Sequence, residues 1–240
     1  QFLNDLERPI KLTDKKNARK PSQTFKPSGM NCMRASYYQI KGIEGSDDDA
    51  DSGLIGICES GSDRHIRIQT AIAGMKDNGI DCEYVDVAEY VKKHKLKDIE
   101  IVAQHGMETK LYHKTYNMSF LCDGIIKYKG EYYILEIKTE SSRKFFDRND
   151  VDRGHINQAT AYSLAFGINK VLFVYENRDV CSKKAFMLEV TDDMKMHLIG
   201  YIENVNTCLK NNTVPPRLLG LNPFEKKCCA HCGYKELCKK

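Results

Sequence analysis

The chain has 240 residues, 41% of them hydrophobic and 29% charged, with a formal net charge of +4. These are the proportions of a globular protein with one sizeable core, or one core plus a small appendage. No apolar run of about 18 residues is present to span a membrane, and the polar, basic start has no secretory pattern. The expected location is the cytoplasm.

The charge is unevenly spread. Residues 1–41 carry nine Lys/Arg against three Asp/Glu, and 226–240 carry five against one, which leaves the middle acidic. Basic ends on an acidic centre suit an anionic polymer held by the ends of the chain, with metals in the middle. Solvated basic tails are the plainer reading of the same charges.

In chain order, residues 1–28 are expected to form a basic arm, and 31–42 a short helix ending near Gly42. The acidic run at 44–53 reads as a solvated loop. A longer helix is predicted from about Ser62 to Lys76, with Ser60 or Ser62 as N-cap and Gly79 beyond its end. Residues 82–95 fit a strand or a helix, and 100–113 read as strands leading to a hairpin at about 118–138. A helix follows over 152–166, then an alternating strand at 170–177, a partner strand at 184–190 and a helix over 192–210. Irregular chain then leads to a cysteine cluster. The order predicts an α/β domain, a mixed sheet with helices on its faces.

The hairpin "CDGIIKYKGEYYILEIK" carries the chemistry. With Lys129 and Gly130 as a two-residue turn, Tyr128 pairs with Glu131, and the same register sets Asp123 opposite Glu136. Like charges so close are destabilising unless a cation or a shared proton sits between them. Period-2 alternation puts Glu136 and Lys138 on one face and Leu135 and Ile137 on the other. Two carboxylates and an ammonium suit Mg²⁺ or Mn²⁺, which take oxygen ligands and lower the pKa of bound water. A chance Glu-x-Lys on an exposed face is the competing reading.

Ten cysteines are present. Cys58, Cys82, Cys122, Cys181 and Cys208 are scattered singly, several in apolar contexts that suit small core residues. Cys229, Cys232 and Cys238 form a C-x₂-C-x₅-C cluster, with Cys228 beside it. Alone, that cluster suits Zn²⁺ with Cys228 or His231 helping.

Asp123 followed by Glu136-Ile-Lys138 resembles the core of the PD-(D/E)XK nuclease superfamily. Gln158 and Tyr162 share a helical face about twenty residues later, near His155. With His65 and the cysteines, they narrow the resemblance to the RecB-like, iron–sulfur branch of CRISPR-associated adaptation nucleases and phage exonucleases. The resemblance covers most of the chain from residue 27 onward, although no proline precedes Asp123. It implies a restriction-endonuclease-like core with Mg²⁺ or Mn²⁺ held by His65, Asp123, Glu136 and the Ile137 carbonyl, and with Lys138 positioning or activating water. Gln158 and Tyr162 would contact DNA, and Arg34, Lys41 and the terminal lysines its backbone. It also implies a 4Fe–4S cluster on Cys32, Cys229, Cys232 and Cys238, stapling the N-terminal segment to the C-terminus.

The expected organisation is an arm (1–28), a segment with the first cluster cysteine (29–60), a nuclease core (61–210) and a cysteine-cluster region (211–240). The expected activity is metal-dependent hydrolysis of DNA, exonucleolytic rather than endonucleolytic, on single strands or free ends. Recombination, repair or CRISPR-adaptation proteins are the expected partners. The alternatives are a zinc-knuckle nucleic-acid-binding module and a non-catalytic subunit of a DNA-processing complex.

Overall fold

The computed structural model describes residues 1–17, 22–45, 52–230 and 232–239. Most of the acidic run at 44–53 and His231 lie outside the described residues. Among the described residues, no helix is long and apolar enough to cross a membrane.

Among the described residues, eight strands form two sheets. The first has the order β1 (Cys82–Val85), β5 (Gly124–Tyr128), β6 (Glu131–Glu140), β7 (Lys170–Asn177) and β8 (Lys183–Glu189). It is mixed: β6 and β7 run parallel, and every other neighbouring pair is antiparallel. The second is antiparallel, in the order β2 (Ile99–His105), β3 (Glu108–His113) and β4 (Met118–Cys122). A parallel β6–β7 pair needs a crossover, and α6 (Arg153–Phe166) supplies it.

The β5–β6 turn falls where the sequence puts it: Tyr128 pairs with Glu131, and Lys129 and Gly130 both have positive φ. The ladder stops at Gly124–Leu135, one pair short of Asp123 and Glu136. Asp123 is not a strand residue. It joins β4 of one sheet to β5 of the other, so the predicted 118–138 hairpin is three strands in two sheets, with the tight hairpin confined to β5 and β6.

Alternation along β6 separates two cores. Ile134 belongs to the large core, with Val171, Phe173 and Tyr175 of β7 and with Ala161, Ala165 and Phe166 of α6. Leu135 and Ile137 face the other way, onto Ile68 of α3 (Ser52–Ala73), Cys82 and Ile126. Each buried aliphatic side chain of this kind contributes roughly 1.5–3 kcal/mol, and a one-residue slip of β6 would exchange the two faces and drive Glu136 and Lys138 into the smaller core.

Helix α6 is fixed at both ends. The Asp152 side chain caps it by accepting from Gly154 N–H, and Gly167 closes it at φ +69°. The helix over α7 (Asp192–Lys210) has the predicted limits and is capped by Thr191.

Four elements differ from the sequence reading. Helix α3 begins at Ser52, so Ser60 and Ser62 lie inside it, as does the domain boundary expected at residue 60. The Ser62 hydroxyl donates to the Cys58 carbonyl one turn back, which lets a cap-type residue sit within a helix. Residues 82–95 split into strand β1 and helix α4 (Val87–Lys93), with Asp86 as N-cap. The expected arm contains helix α1 (Phe2–Asn17), and its later part is packed: Phe25 is fully buried and bridges to Met118. The cysteine region carries α8 (Pro223–Ala230) and α9 (Lys235–Lys239). Near the start of the chain, α2 (Met33–Ile40) packs on α7.

Candidate active site

The site lies where the two sheets meet, against α3 and α6. Asp123 is held by its neighbours: Oδ2 accepts from the Ile137 backbone N–H at 2.7 Å, and its carbonyl accepts from Gln69 Nε2 at 2.6 Å and from the Tyr84 hydroxyl. Its Oδ1 lies 3.3 Å from His65 Nδ1, which is also 3.4 Å from Glu108 Oε1. Ligand atoms of His65, Glu108 and Asp123 all lie within 4.8 Å of one another, the one such group of three among the described residues.

Glu108 was not expected. It opens β3 after the Gly106–Met107 turn, where Gly106 has φ +60°. Thr109 pairs with Cys122, so the next step of that register sets Glu108 beside Asp123. Burial disfavours the charged imidazole of His65. Hydrogen bonds to Asp123 and Glu108, and their charges, outweigh burial and raise it from 6.5 to about 10. A proton shared by three such groups occupies the environment that a cation would favour.

Glu136 and Lys138 stand on the α6 side of β6. Lys138 Nζ donates to Glu136 Oε1 at 2.5 Å and to Gln158 Oε1 at 3.2 Å. Gln158 Nε2 donates to Glu136 Oε1 at 2.6 Å and to the Tyr162 hydroxyl at 2.9 Å, which in turn donates to the Leu121 carbonyl at 2.8 Å. An ammonium on one side and a carboxylate on the other fix which way the Gln158 amide points. Burial pushes Glu136 up while Lys138 pulls it back, and the same carboxylate keeps Lys138 protonated. Among the described residues, Glu136 Oε2 is buried without a hydrogen-bond partner. A carboxylate oxygen left so in a charged site is the kind of orphan that a bound cation satisfies. The carboxylate donors suit Mg²⁺ or Mn²⁺, and Mn²⁺ takes the one imidazole more readily than Mg²⁺, so the residues present fit the expected ion.

A cleft of about 570 Å³ opens onto His65, Glu108, Asp123, Glu136 and Lys138. Lys26 and Lys110 also line it. Gln158 and Tyr162 border the same cleft, yet they are only 5% and 3% exposed. The polar groups expected to reach DNA are engaged in holding Glu136 and Lys138. His155 is likewise engaged, with Nδ1 3.0 Å from the Tyr175 hydroxyl, and burial lowers it to about 3.

No protein-family model matches the chain, and no curated protein matches it. Among solved structures, the chain is similar to SSO0001, with 17% identity, a TM-score of 0.48 and coverage of 99% of this chain and 96% of that one. It is also similar to the alkaline exonuclease LHK-Exo of Laribacter hongkongensis, with 12% identity, a TM-score of 0.41 and coverage of 80% and 90%. The complex of LHK-Exo with dAMP gives the same identity and TM-score. Likeness at that level leaves the chemistry of the site to be read from its own side chains.

Cys32 occupies the N-cap position of α2, and burial pushes the Cys32 and Cys228 thiols up, with smaller contributions from Cys232 and Cys238 on Cys32 and from Cys32 on Cys228. Cys32, Cys228, Cys229, Cys232 and Cys238 are all half-buried. Arg34, expected on DNA, donates to the Pro215 carbonyl at 2.7 Å and lies 3.7 Å from Cys238 Sγ. Lys41 is tied to Asn212, and Lys239 to Glu236 at 2.7 Å. Lys227 of α8 pairs with Asp152 at 2.9 Å, docking the cysteine-bearing helix on the N-cap of α6.

Proposed function

We propose that the chain is a metal-dependent DNA nuclease of the PD-(D/E)XK type, acting on strand ends as an exonuclease. The observation that carries this reading is the convergence of His65, Glu108 and Asp123 beside a buried Glu136 whose second oxygen has no partner. His65, Asp123, Glu136 and the Ile137 carbonyl would hold Mg²⁺ or Mn²⁺, and Glu108 joins that set. A divalent cation supplies charge neutralisation at a phosphoryl oxygen and a more acidic water.

The remaining roles belong to the chain. Lys138 donates to Glu136 and Gln158, which requires its protons, so its role is to orient the attacking water and the scissile phosphate rather than to act as base. Gln158 and Tyr162 hold that ammonium and Glu136 in place. Lys26 and Lys110 are the phosphate contacts that the cleft lining favours, in place of Arg34 and Lys41, and binding is expected to weaken with salt.

End-labelled single- and double-stranded DNA, digested side by side with Mg²⁺ or Mn²⁺, tests the activity. Nucleotides released stepwise from one end are expected. DNA left intact by wild-type protein with either ion would refute the nuclease reading.

The cysteines extend the proposal. Cys32, Cys229, Cys232 and Cys238 are the candidate ligands of a 4Fe–4S cluster, which joins the start of α2 to the C-terminal helices. The donor set and the proximity of Cys32 to the C-terminal thiols support it. Cys32→Ser is expected to lose visible absorbance and iron and to leave a less soluble protein. A colourless wild-type protein with stoichiometric zinc would replace this reading with a zinc site.

A further inference from the structure

We propose that Gln69 and Tyr84 are positioning residues that clasp together the three chain segments supplying His65, Glu108 and Asp123. The inference rests on the cation site proposed above and assigns two residues that touch neither the cation nor DNA.

Gln69 lies one helical turn after His65 on α3 and is fully buried. Its Nε2 donates to the Asp123 carbonyl at 2.6 Å, so the helix that carries the imidazole is bonded directly to the backbone that carries the carboxylate. Tyr84 comes from β1. Its hydroxyl reaches the Asp123 carbonyl and, at 3.0 Å, the carbonyl of Met107, the residue before Glu108. Gln69 also lies against that hydroxyl. One phenol and one amide thus touch α3, the β2–β3 turn and the crossing between the sheets.

The chain makes room for this contact. A Cβ on Gly124 would lie 2.6 Å from Tyr84 Cζ and 2.8 Å from Cε2, closer than side chains tolerate, so only glycine after Asp123 admits the ring. The Met107 and Asp123 carbonyls both present lone pairs to the one hydroxyl proton. Without that donor they repel, and the acids following and carried on those backbones lose their fixed spacing. Groups that orient ligands in this way typically account for about 10–100-fold in metal affinity.

Tyr84→Phe removes the hydroxyl and keeps the ring. Titrating Mn²⁺ alone into the full chain by calorimetry, the variant is expected to bind about tenfold or more weakly than wild type. Thermal unfolding without metal is measured alongside. A merely structural role would lower the melting temperature and leave the Mn²⁺ affinity unchanged. Gln69→Met, which leaves Tyr84 in place, repeats the test from the helix side. Wild-type protein that binds no Mn²⁺ sinks the cation site and this inference with it. Wild-type binding matched within twofold by whichever variant folds overturns the clasp alone.

Discussion

Glu136→Gln is expected to reduce DNA cleavage on the order of 10³-fold, the scale seen when a preorganised charge is taken from an active site, while the protein stays folded. The amide keeps the shape of the side chain and still accepts from Lys138 and Gln158. It removes the negative charge and replaces the unpartnered Oε2 or its twin with a donor. Lys138→Met is expected to be equally inactive but less stable. The Glu136 side chain is 4% exposed and Lys138 is its cationic partner, so deleting the ammonium leaves a buried carboxylate with Gln158 alone. Breaking such a pair from one side costs about 3 kcal/mol.

The double variant separates the two roles. Glu136→Gln with Lys138→Met removes both charges, so most of the lost stability should return while cleavage stays absent. Chemical denaturation of the three variants, with cleavage assayed on the same preparations, reads both quantities. A double variant no more stable than Lys138→Met alone would show that the pair is not the source of the cost.

The legible part of this site came from register. Lys129 and Gly130 announce a tight turn, and from there the numbering alone brings Asp123 near Glu136 and sorts β6 into a face with Glu136 and Lys138 and one with Leu135 and Ile137. What the sequence hides is that the chain changes sheets at Asp123. The ladder ends one pair early, and the Asp123 carboxylate takes the Ile137 N–H and turns toward His65 instead of facing Glu136. Glu108 was within reach of the same arithmetic. Counting back from the His113–Met118 pair brings it opposite Asp123, but a second hairpin with a longer turn gives no comparable dipeptide to anchor the count.

Gln158 and Tyr162 share one helical face as expected, and both are buried because α6 is covered along most of its length. Periodicity shows which side chains share a face; it does not show how much covers them. The start of α3 was misplaced because serine and glycine argue for a boundary locally, whereas Ser62 is accommodated within the helix by donating to the Cys58 carbonyl. Helix α1 lies against α3, yet its Phe2, Leu3 and Leu6 are exposed, and nothing among the described residues accounts for them.

The largest effect on stability outside the site is expected at Glu176. Its side chain is fully buried at the end of β7, where three cations converge. Arg67 Nη2 lies 2.6 and 2.8 Å from its two oxygens, Arg64 Nη1 is at 2.9 Å and Lys183 Nζ at 3.2 Å. Burial disfavours this carboxylate, but the hydrogen bonds from Arg64, Arg67 and Lys183 outweigh it and hold its pKa below the usual 4.5. Because the folded value is depressed, the stabilisation is complete above pH about 4.5 and is lost as the pH falls through the folded value. Glu176→Gln is expected to cost about 2 kcal/mol near neutral pH. That is less than a wholly buried pair, because Arg67 and Lys183 are half exposed and regain water. In a chain of this size, that lowers the melting temperature by roughly 4–8 °C. The difference between the two proteins should shrink as the pH drops below 4.5, since acid has by then removed the same charge from wild type. Arg64 and Arg67 flank His65 on α3, so loosening their anchor should also weaken Mn²⁺ binding. Melting curves from pH 3 to 7 decide the matter: a gap that stays constant across that range means that Glu176 does not hold α3 through its charge.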